Sequence, residues 1–285
     1  MLSPKIILIT GCSSGFGLLA AARLASRGHK VYATMRDIRK KEYLEVEVTA
    51  RGGAGNLTIL PLDVSKPDTI KAAINTIISK DGVIDVLINN AGFGIGGFFE
   101  DLSESDWRAQ YDVNFFGVLN VTREVLPIMR PRRRGLIINI SSMAAFSGSP
   151  AFSAYSSSKF ALEGFSECLY MELQPLGINV ALVEPGSYRT KIFEDNARYA
   201  AGFFNTQSPY FSWSQQLKRI VDNHIRDNNR NPEEVAVVLE DLINSPWPSF
   251  RNIIGFKSRL RYWFVRLIPF KLYAWMVARI LPANV

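Results

Sequence analysis

Residues 1–256 predict one α/β domain, a doubly wound parallel sheet of about seven strands with helices on both faces. Three observations carry this. Short apolar runs rich in β-branched residues alternate with helical stretches along the chain. The first run passes directly into a glycine-rich turn before its helix. Later runs end in small polar or glycine turns, at the strand ends where open α/β sheets bind ligands.

Residues 5–10 read as the first buried strand and 18–27 as its helix. Between them lies Gly11-Cys12-Ser13-Ser14-Gly15-Phe16-Gly17. Glycines let a backbone approach a pyrophosphate, and a helix N-terminus offers free N–H groups and the positive end of its dipole. The Gly-x-x-x-Gly-x-Gly spacing fits a phosphate cradle and also an ordinary tight βα turn. Residues 30–35 are the second strand. In a dinucleotide-binding sheet its end faces the adenosine ribose, where an acid binds the 2′-hydroxyl of NAD and an arginine suits the 2′-phosphate of NADP. Met35 stands at the acid position, Arg36 follows, and Asp37 comes one residue later. Arg36 therefore favours NADP(H), and a solvated surface arginine is the alternative.

Residues 39–50 read as an exposed helix, 57–62 as the third strand ending at Asp63-Val64, and 68–80 as a helix. Residues 83–88 are the fourth strand, closed by Asn89-Asn90-Ala91-Gly92. A long helix over 107–129 carries Asn114 amid Val113, Phe115 and Phe116, which marks either a surface position or a buried polar group with a task. Residues 135–140 are the fifth strand, 152–176 a helix, and 178–183 the sixth strand, stopped by Glu184-Pro185-Gly186. Residues 187–231 show no clear period and are rich in Phe, Tyr, Asn, Ser and Gln, which predicts a lid over a binding site. Asn231-Pro232-Glu233-Glu234 opens a helix to about residue 243, with Asn at N-cap, Pro at N1 and acids in the first turn. Residues 250–256 complete the sheet.

Tyr155 and Lys159 stand one helical turn apart on one face of the helix over 152–176, with Ser142 thirteen residues upstream of the tyrosine. A lysine ammonium beside a phenol favours the phenolate and so makes a proton donor or acceptor usable near neutrality.

The net charge of +7 is unevenly placed. Residues 257–285 hold six basic residues and no acid, which leaves +1 for residues 1–256. The basic balance thus belongs to the C-terminal arm and does not imply nucleic-acid binding. Cys12 and Cys168 match no metal spacing and suggest no disulfide framework, so a reducing compartment is expected. The N-terminus lacks the features of a signal peptide, and no apolar run is long enough to span a membrane. A cytoplasmic location is expected, with membrane association on the cytoplasmic face left open.

Together these residues resemble the short-chain dehydrogenase/reductase family. The resemblance spans residues 5–256 and rests on Thr10-Gly11-x-x-x-Gly15-x-Gly17, Asp63-Val64, Asn89-Asn90-Ala91-Gly92, Asn114, Ser142, Tyr155-x-x-x-Lys159, and Pro185-Gly186 with Thr190. Within the family, Thr10-Gly-Cys-Ser-Ser-Gly15, residues 31–37, 158–164 and 231–236 are similar to the NADP-preferring 17β-hydroxysteroid and retinol dehydrogenases. The resemblance implies a Rossmann-type sheet and an NADP(H)-dependent interconversion of an alcohol and a carbonyl. Tyr155 would be the acid/base, and Lys159 would lower its pKa and bond the nicotinamide ribose. Ser142 would bond the substrate oxygen, and Asn114 would hold a water linking Lys159 to solvent. Gly11, Ser13, Ser14, Gly15, Phe16 and Gly17 would contact the cofactor, with Ser14 and Arg36 near the 2′-phosphate. Asp63 and Val64 would meet the adenine, Asn90, Ala91 and Gly92 the ribose, and Pro185, Gly186, Ser187 and Thr190 the nicotinamide. No metal site is implied.

Phe93, Met143, Phe146, Phe152, Tyr188 and Phe193 are candidates for an apolar substrate pocket, and each could equally be core. With the aromatic lid and the subfamily likeness they point to a steroid, a retinoid or a long-chain aldehyde or ketone. A 3-oxoacyl-thioester reductase is the enzymatic alternative, and a non-catalytic NADP-sensing protein on this fold is the other. Residues 259–279 are apolar, aromatic and basic, interrupted by Pro269. They suit an interfacial helix on an anionic membrane, and equally an arm packed over the lid or a partner subunit. A homodimer or homotetramer follows by family analogy alone.

Overall fold

The computed structural model describes residues 3–188, 197–227 and 229–279. The strands β1 (Ile6–Ile9), β2 (Lys30–Met35), β3 (Leu57–Pro61) and β4 (Val86–Asn89) make one half of the sheet, with helices α1 (Gly15–Ser26), α2 (Glu42–Ala50) and α3 (Pro67–Asp81) between them. A short strand β5 (Gly94–Gly96) follows. Helices α4 (Glu104–Tyr111) and α5 (Gly117–Met129), strand β6 (Gly135–Ile140), helix α6 (Ser153–Leu173) and strand β7 (Ile178–Glu184) come next. Beyond them lie β8 (Ala197–Tyr199), α7 (Phe211–Arg226), α8 (Glu233–Asn244) and β9 (Arg251–Ile253), then α9 (Phe256–Leu267) and α10 (Phe270–Ala278).

Seven strands form one parallel sheet in the order β3-β2-β1-β4-β6-β7-β9, as the sequence predicts. Strand alternation explains why both faces are covered. Ile7 and Ile9 point into a core formed with α1, α2 and α8, whereas Leu8 points into a second core with α3, α5 and α6. The chain steps outward in one direction from β1 and in the other from β4. The gap between β1 and β4 is therefore the topological switch point, where the turns after both strands open into a crevice.

Four elements differ from the sequence reading. The helix over 107–129 is two helices joined by a wide π-type turn, Asp112–Phe116, with Asn114 buried inside it. Such turns shift side-chain phase and often mark functional positions. The region over 187–231 contains a sixteen-residue helix, α7. Its apolar residues Trp213, Leu217, Val221 and Ile225 recur every fourth position, a stripe masked by the surrounding Ser, Gln and Asn. The seventh strand is only three residues long, because Phe256 already begins α9. Helix α8 starts one residue later than the sequence predicts, with Pro232 at its N-cap, and Asn231 supports that start by accepting from the Glu233 N–H at 3.0 Å.

Candidate active site

The turn after β1 is shaped by close approach. Gly11 has φ +73°, and a Cβ there would lie 2.7 Å from the Ala91 Cα. A Cβ on Gly17 would run into the Asn90 amide and the Gly11 carbonyl. Asn90 stitches the two turns together, its Nδ2 donating to the Thr10 and Gly11 carbonyls at 2.9 and 3.0 Å. Beside this cradle lies a cavity of about 550 Å³. Gly11, Ser13, Ser14, Gly15 and Phe16 form one wall, Asp63 and Val64 another, and Asn90, Ala91 and Gly92 the floor. Arg36 and Lys40 close the β2 end.

Lys40 was missed in the sequence, although it sits in the same basic run as Arg36. Asp37 is turned aside. Its carboxylate accepts from the Arg39 backbone N–H at 3.1 Å and from the Arg39 guanidinium at 2.8 and 2.9 Å, which holds its pKa down at about 2. Glycine backbone, a helix N-terminus and paired cations at one end match the chemistry of a dinucleotide, so these residues fit one.

A narrow recess of about 50 Å³ continues from this cavity, sharing Phe16, Asn90, Gly92 and Phe93 with it. Ser142, Tyr155, Lys159, Pro185 and Gly186 line the recess. The third space, a largely apolar cavity of about 190 Å³, shares Ser142, Tyr155 and Gly186 with the recess. Met143, Phe152, Ser187, Tyr199 and Val221 also line it, with Arg198 and Arg261 at its walls. Tyr155 and Ser142 thus stand where the recess meets the apolar cavity.

The electrostatics of the tyrosine–lysine pair differ from the sequence expectation. The Lys159 ammonium donates to the Ile140 carbonyl at 2.8 Å. Burial, opposed by the nearby Glu163 charge, brings its pKa down to about 8. Tyr155 is not driven toward the phenolate: burial pushes its phenol above the ordinary value, and a hydrogen bond with Ser142 only partly offsets this. Desolvation outweighs the Glu163 charge at Lys159 and the Ser142 hydrogen bond at Tyr155. Asn114 is the buried polar group with a task. Its side chain clasps Phe93, accepting from the Phe93 N–H at 3.1 Å and donating to the Phe93 carbonyl at 2.9 Å, and it reaches Ser158 Oγ at 3.4 Å. It thereby fixes the backbone after Gly92, beside Lys159.

The apolar candidates divide. Met143 and Phe152 line the apolar cavity, whereas Phe93 lines the larger cavity and the recess, with the Arg198 guanidinium 4.9 Å above its ring. Tyr188 does not reach the apolar cavity. It packs edge-on to Phe16 at 5.4 Å under Arg230, its hydroxyl donates to Glu234 at 3.0 Å, and it closes the recess from the core side. Phe146 turns away as well, packing on Tyr262 of α9 at 4.7 Å. Both corrections have one cause: their strand-end positions face neighbouring helices that the local sequence does not reveal. Thr190 and Phe193 lie outside the described residues. Tyr199, Val221, Arg198 and Arg261 were missed, since β8, α7 and α9 reach the cavity only through tertiary packing.

A family model described as short chain dehydrogenase matches residues 5–200. The chain is 40% identical to the 3-ketodihydrosphingosine reductase of Bacteroides thetaiotaomicron, over 89% of each chain. It is 37% identical to bovine retinol dehydrogenase 8, covering 88% of this chain and 81% of the relative. It is 35% identical to human 17-beta-hydroxysteroid dehydrogenase type 1, covering 88% and 77%. Among solved structures, a short-chain dehydrogenase/reductase from Burkholderia phymatum in complex with NAD superposes with a TM-score of 0.78 at 26% identity, over 94% and 96% of the two chains. A metagenomic short-chain oxidoreductase in complex with NADP gives 0.70 at 28% identity, over 89% and 97%. The cradle at the switch point, the serine–tyrosine–lysine cluster beside it and these similarities have one conclusion: the chain belongs to the short-chain dehydrogenase/reductase family of oxidoreductases.

Proposed function

We propose that the protein interconverts an alcohol and a carbonyl on a large apolar molecule with NADP(H), using Tyr155 as the acid/base. The observation that carries this reading is the position of Tyr155 and Ser142, which line both the recess off the dinucleotide cavity and the apolar cavity. A bound nicotinamide cofactor supplies or accepts the hydride. The chain's own residues orient the substrate and move the proton. A phenol pushed above its ordinary pKa stays protonated at neutral pH, which suits donation to a carbonyl oxygen. Ser142 offers a second hydroxyl to the same oxygen as charge develops there. Lys159 holds a positive charge behind the tyrosine and reaches toward the cofactor recess. Asn114 keeps the Gly92–Phe93 backbone in place.

The substrate class rests on the apolar walls of the cavity and on relatives whose names place them on retinol, hydroxysteroids and a keto-sphingoid base. Arg198 and Arg261 at the wall disfavour an ammonium-bearing substrate and favour a neutral or acidic one. A test is NADPH oxidation with steroid, retinoid, long-chain aliphatic, 3-keto sphingoid and 3-oxoacyl-thioester carbonyls. Turnover of an uncharged apolar carbonyl is expected to exceed that of the thioesters. Preference for the thioesters would overturn the reading.

The cofactor preference rests on Arg36 and Lys40 at the β2 end and on an Asp37 already engaged by Arg39. Arg36→Ala is expected to raise KM for NADPH roughly tenfold, the scale of one charge-assisted hydrogen bond, and to leave KM for NADH nearly unchanged. Equal effects on both cofactors would remove the 2′-phosphate role.

A further inference from the structure

The C-terminal arm has two faces with different partners. Its inner face is seated on the body of the protein. Ser258 and Tyr262 are buried one turn apart on α9, and Tyr262 packs on Phe146. Arg261 Nη2 donates to Ser147 Oγ at 2.9 Å, and the Tyr273 hydroxyl of α10 donates to the Gly148 carbonyl at 3.1 Å. Ser147, Arg261 and Gly186 line the apolar cavity, and Ser258 lies against Gly186. Helix α9 is therefore a wall of the cavity.

The outer face is covered by nothing among the described residues. Trp263 is 59% exposed, Leu267 76% and Phe270 78%, and Leu260, Phe264 and Trp275 are about half exposed. Single exposed apolar residues are ordinary, but two consecutive helices bearing a run of them mark an interaction surface. Residues 256–279 also carry Lys257, Arg259, Arg261, Arg266, Lys271 and Arg279 with no acid among them.

We propose that this outer face docks on an anionic lipid bilayer, which brings the apolar cavity to within about one helix diameter, roughly 10 Å, of the membrane surface. Charge selects the occupant. A second copy of the chain, paired about a two-fold axis, would set Lys257, Arg259, Arg266, Lys271 and Arg279 against the same five cations around the apolar contact. An anionic bilayer is complementary to the same surface: tryptophan and phenylalanine enter the headgroup boundary while lysine and arginine meet lipid phosphate and carboxylate. No helix among the described residues is long and apolar enough to cross a membrane, so the contact lies in the interfacial plane. An apolar substrate concentrated in the bilayer would then reach the cavity along the helix that walls it.

Vesicle flotation of the full chain tests this without reference to turnover, so its failure and a failure of the enzymatic reading are separable. The protein is mixed with phosphatidylcholine vesicles, with or without phosphatidylserine. The floated fraction is expected to rise at least roughly tenfold with phosphatidylserine and to fall at high salt. The outer-face pair Trp263→Ser/Leu267→Ser and the charge pair Lys257→Glu/Lys271→Glu are each expected to lose that gain while still binding NADPH like the parent. Parent protein that stays unbound on both vesicle types, or variants that float as well as the parent, would overturn the proposal. So would a sedimentation-measured dimer abolished by Trp263→Ser/Leu267→Ser, which would assign the face to a second copy.

Discussion

Tyr155→Phe is expected to lower turnover by roughly 10³-fold, in the range of a lost general acid, while NADPH affinity changes little. The substitution removes one oxygen from the meeting point of recess and cavity and leaves the glycine cradle and the Arg36 end intact. Single-turnover rates and a cofactor fluorescence titration on the same preparation separate the two effects. A variant with parental turnover would sink the catalytic assignment, and one that loses both would mean that the Tyr155 hydroxyl also positions the cofactor. The wild-type profile carries a related sign. Lys159 titrates at about 8, so the positive charge behind the phenol is present below that pH and lost above it. The kcat/KM for reduction should therefore decline as pH rises through that value, and a profile that continues upward would remove Lys159 from the relay.

Arg251→Leu is expected to destabilise the fold by about 3 kcal/mol at neutral pH, the cost of leaving buried carboxylates without their cation. Arg251 on β9 reaches Glu163 of α6 at 2.7 Å, Glu184 of β7 at 2.9 Å and the more exposed Glu167 at 2.9 Å. Glu184 is fully buried and Glu163 nearly so, and the Asn252 N–H also donates to Glu184 at 2.8 Å. Burial pushes both carboxyls above the ordinary range, and Arg251 opposes that shift. Without the guanidinium they shift further up, and the folded state binds protons more tightly than the unfolded one. Stability then falls as pH rises through the window above the unfolded carboxyl pKa, and is regained as pH drops toward it. Urea unfolding of parent and variant across that window measures this. A pH-independent difference would mean that lost packing against Phe146 and Tyr262, whose rings flank the guanidinium, causes the effect.

The residues of the cradle and of the Ser142–Tyr155–Lys159 cluster were legible because each belongs to a local pattern. A strand period, a glycine turn and an i,i+4 pair are set by backbone geometry within a few residues. The parallel sheet followed from the same local periods, because connection rules leave few alternatives. Asn114 was legible as an anomaly, a polar residue inside an apolar helix, but its clasp on Phe93 was not. That contact joins residues 21 apart across a π-type turn.

Much of the substrate side was illegible. Phe146 and Tyr188 are aromatic residues at strand ends, as Met143 is an apolar one, yet only Met143 faces the cavity. What separates them is which helix packs over each position, a property of segments more than 40 residues away in sequence. The pKa directions belong to the same class. A lysine one turn from a tyrosine predicts a lowered phenol pKa in water, but desolvation depends on how many atoms surround the pair. Spacing along the chain therefore determined the sheet, the glycine cradle and the Ser142–Tyr155–Lys159 cluster. Packing between distant segments decided the walls of the cavity, the charge state of the tyrosine–lysine pair and the seating of the C-terminal arm, because burial is a sum over neighbours that no local pattern contains.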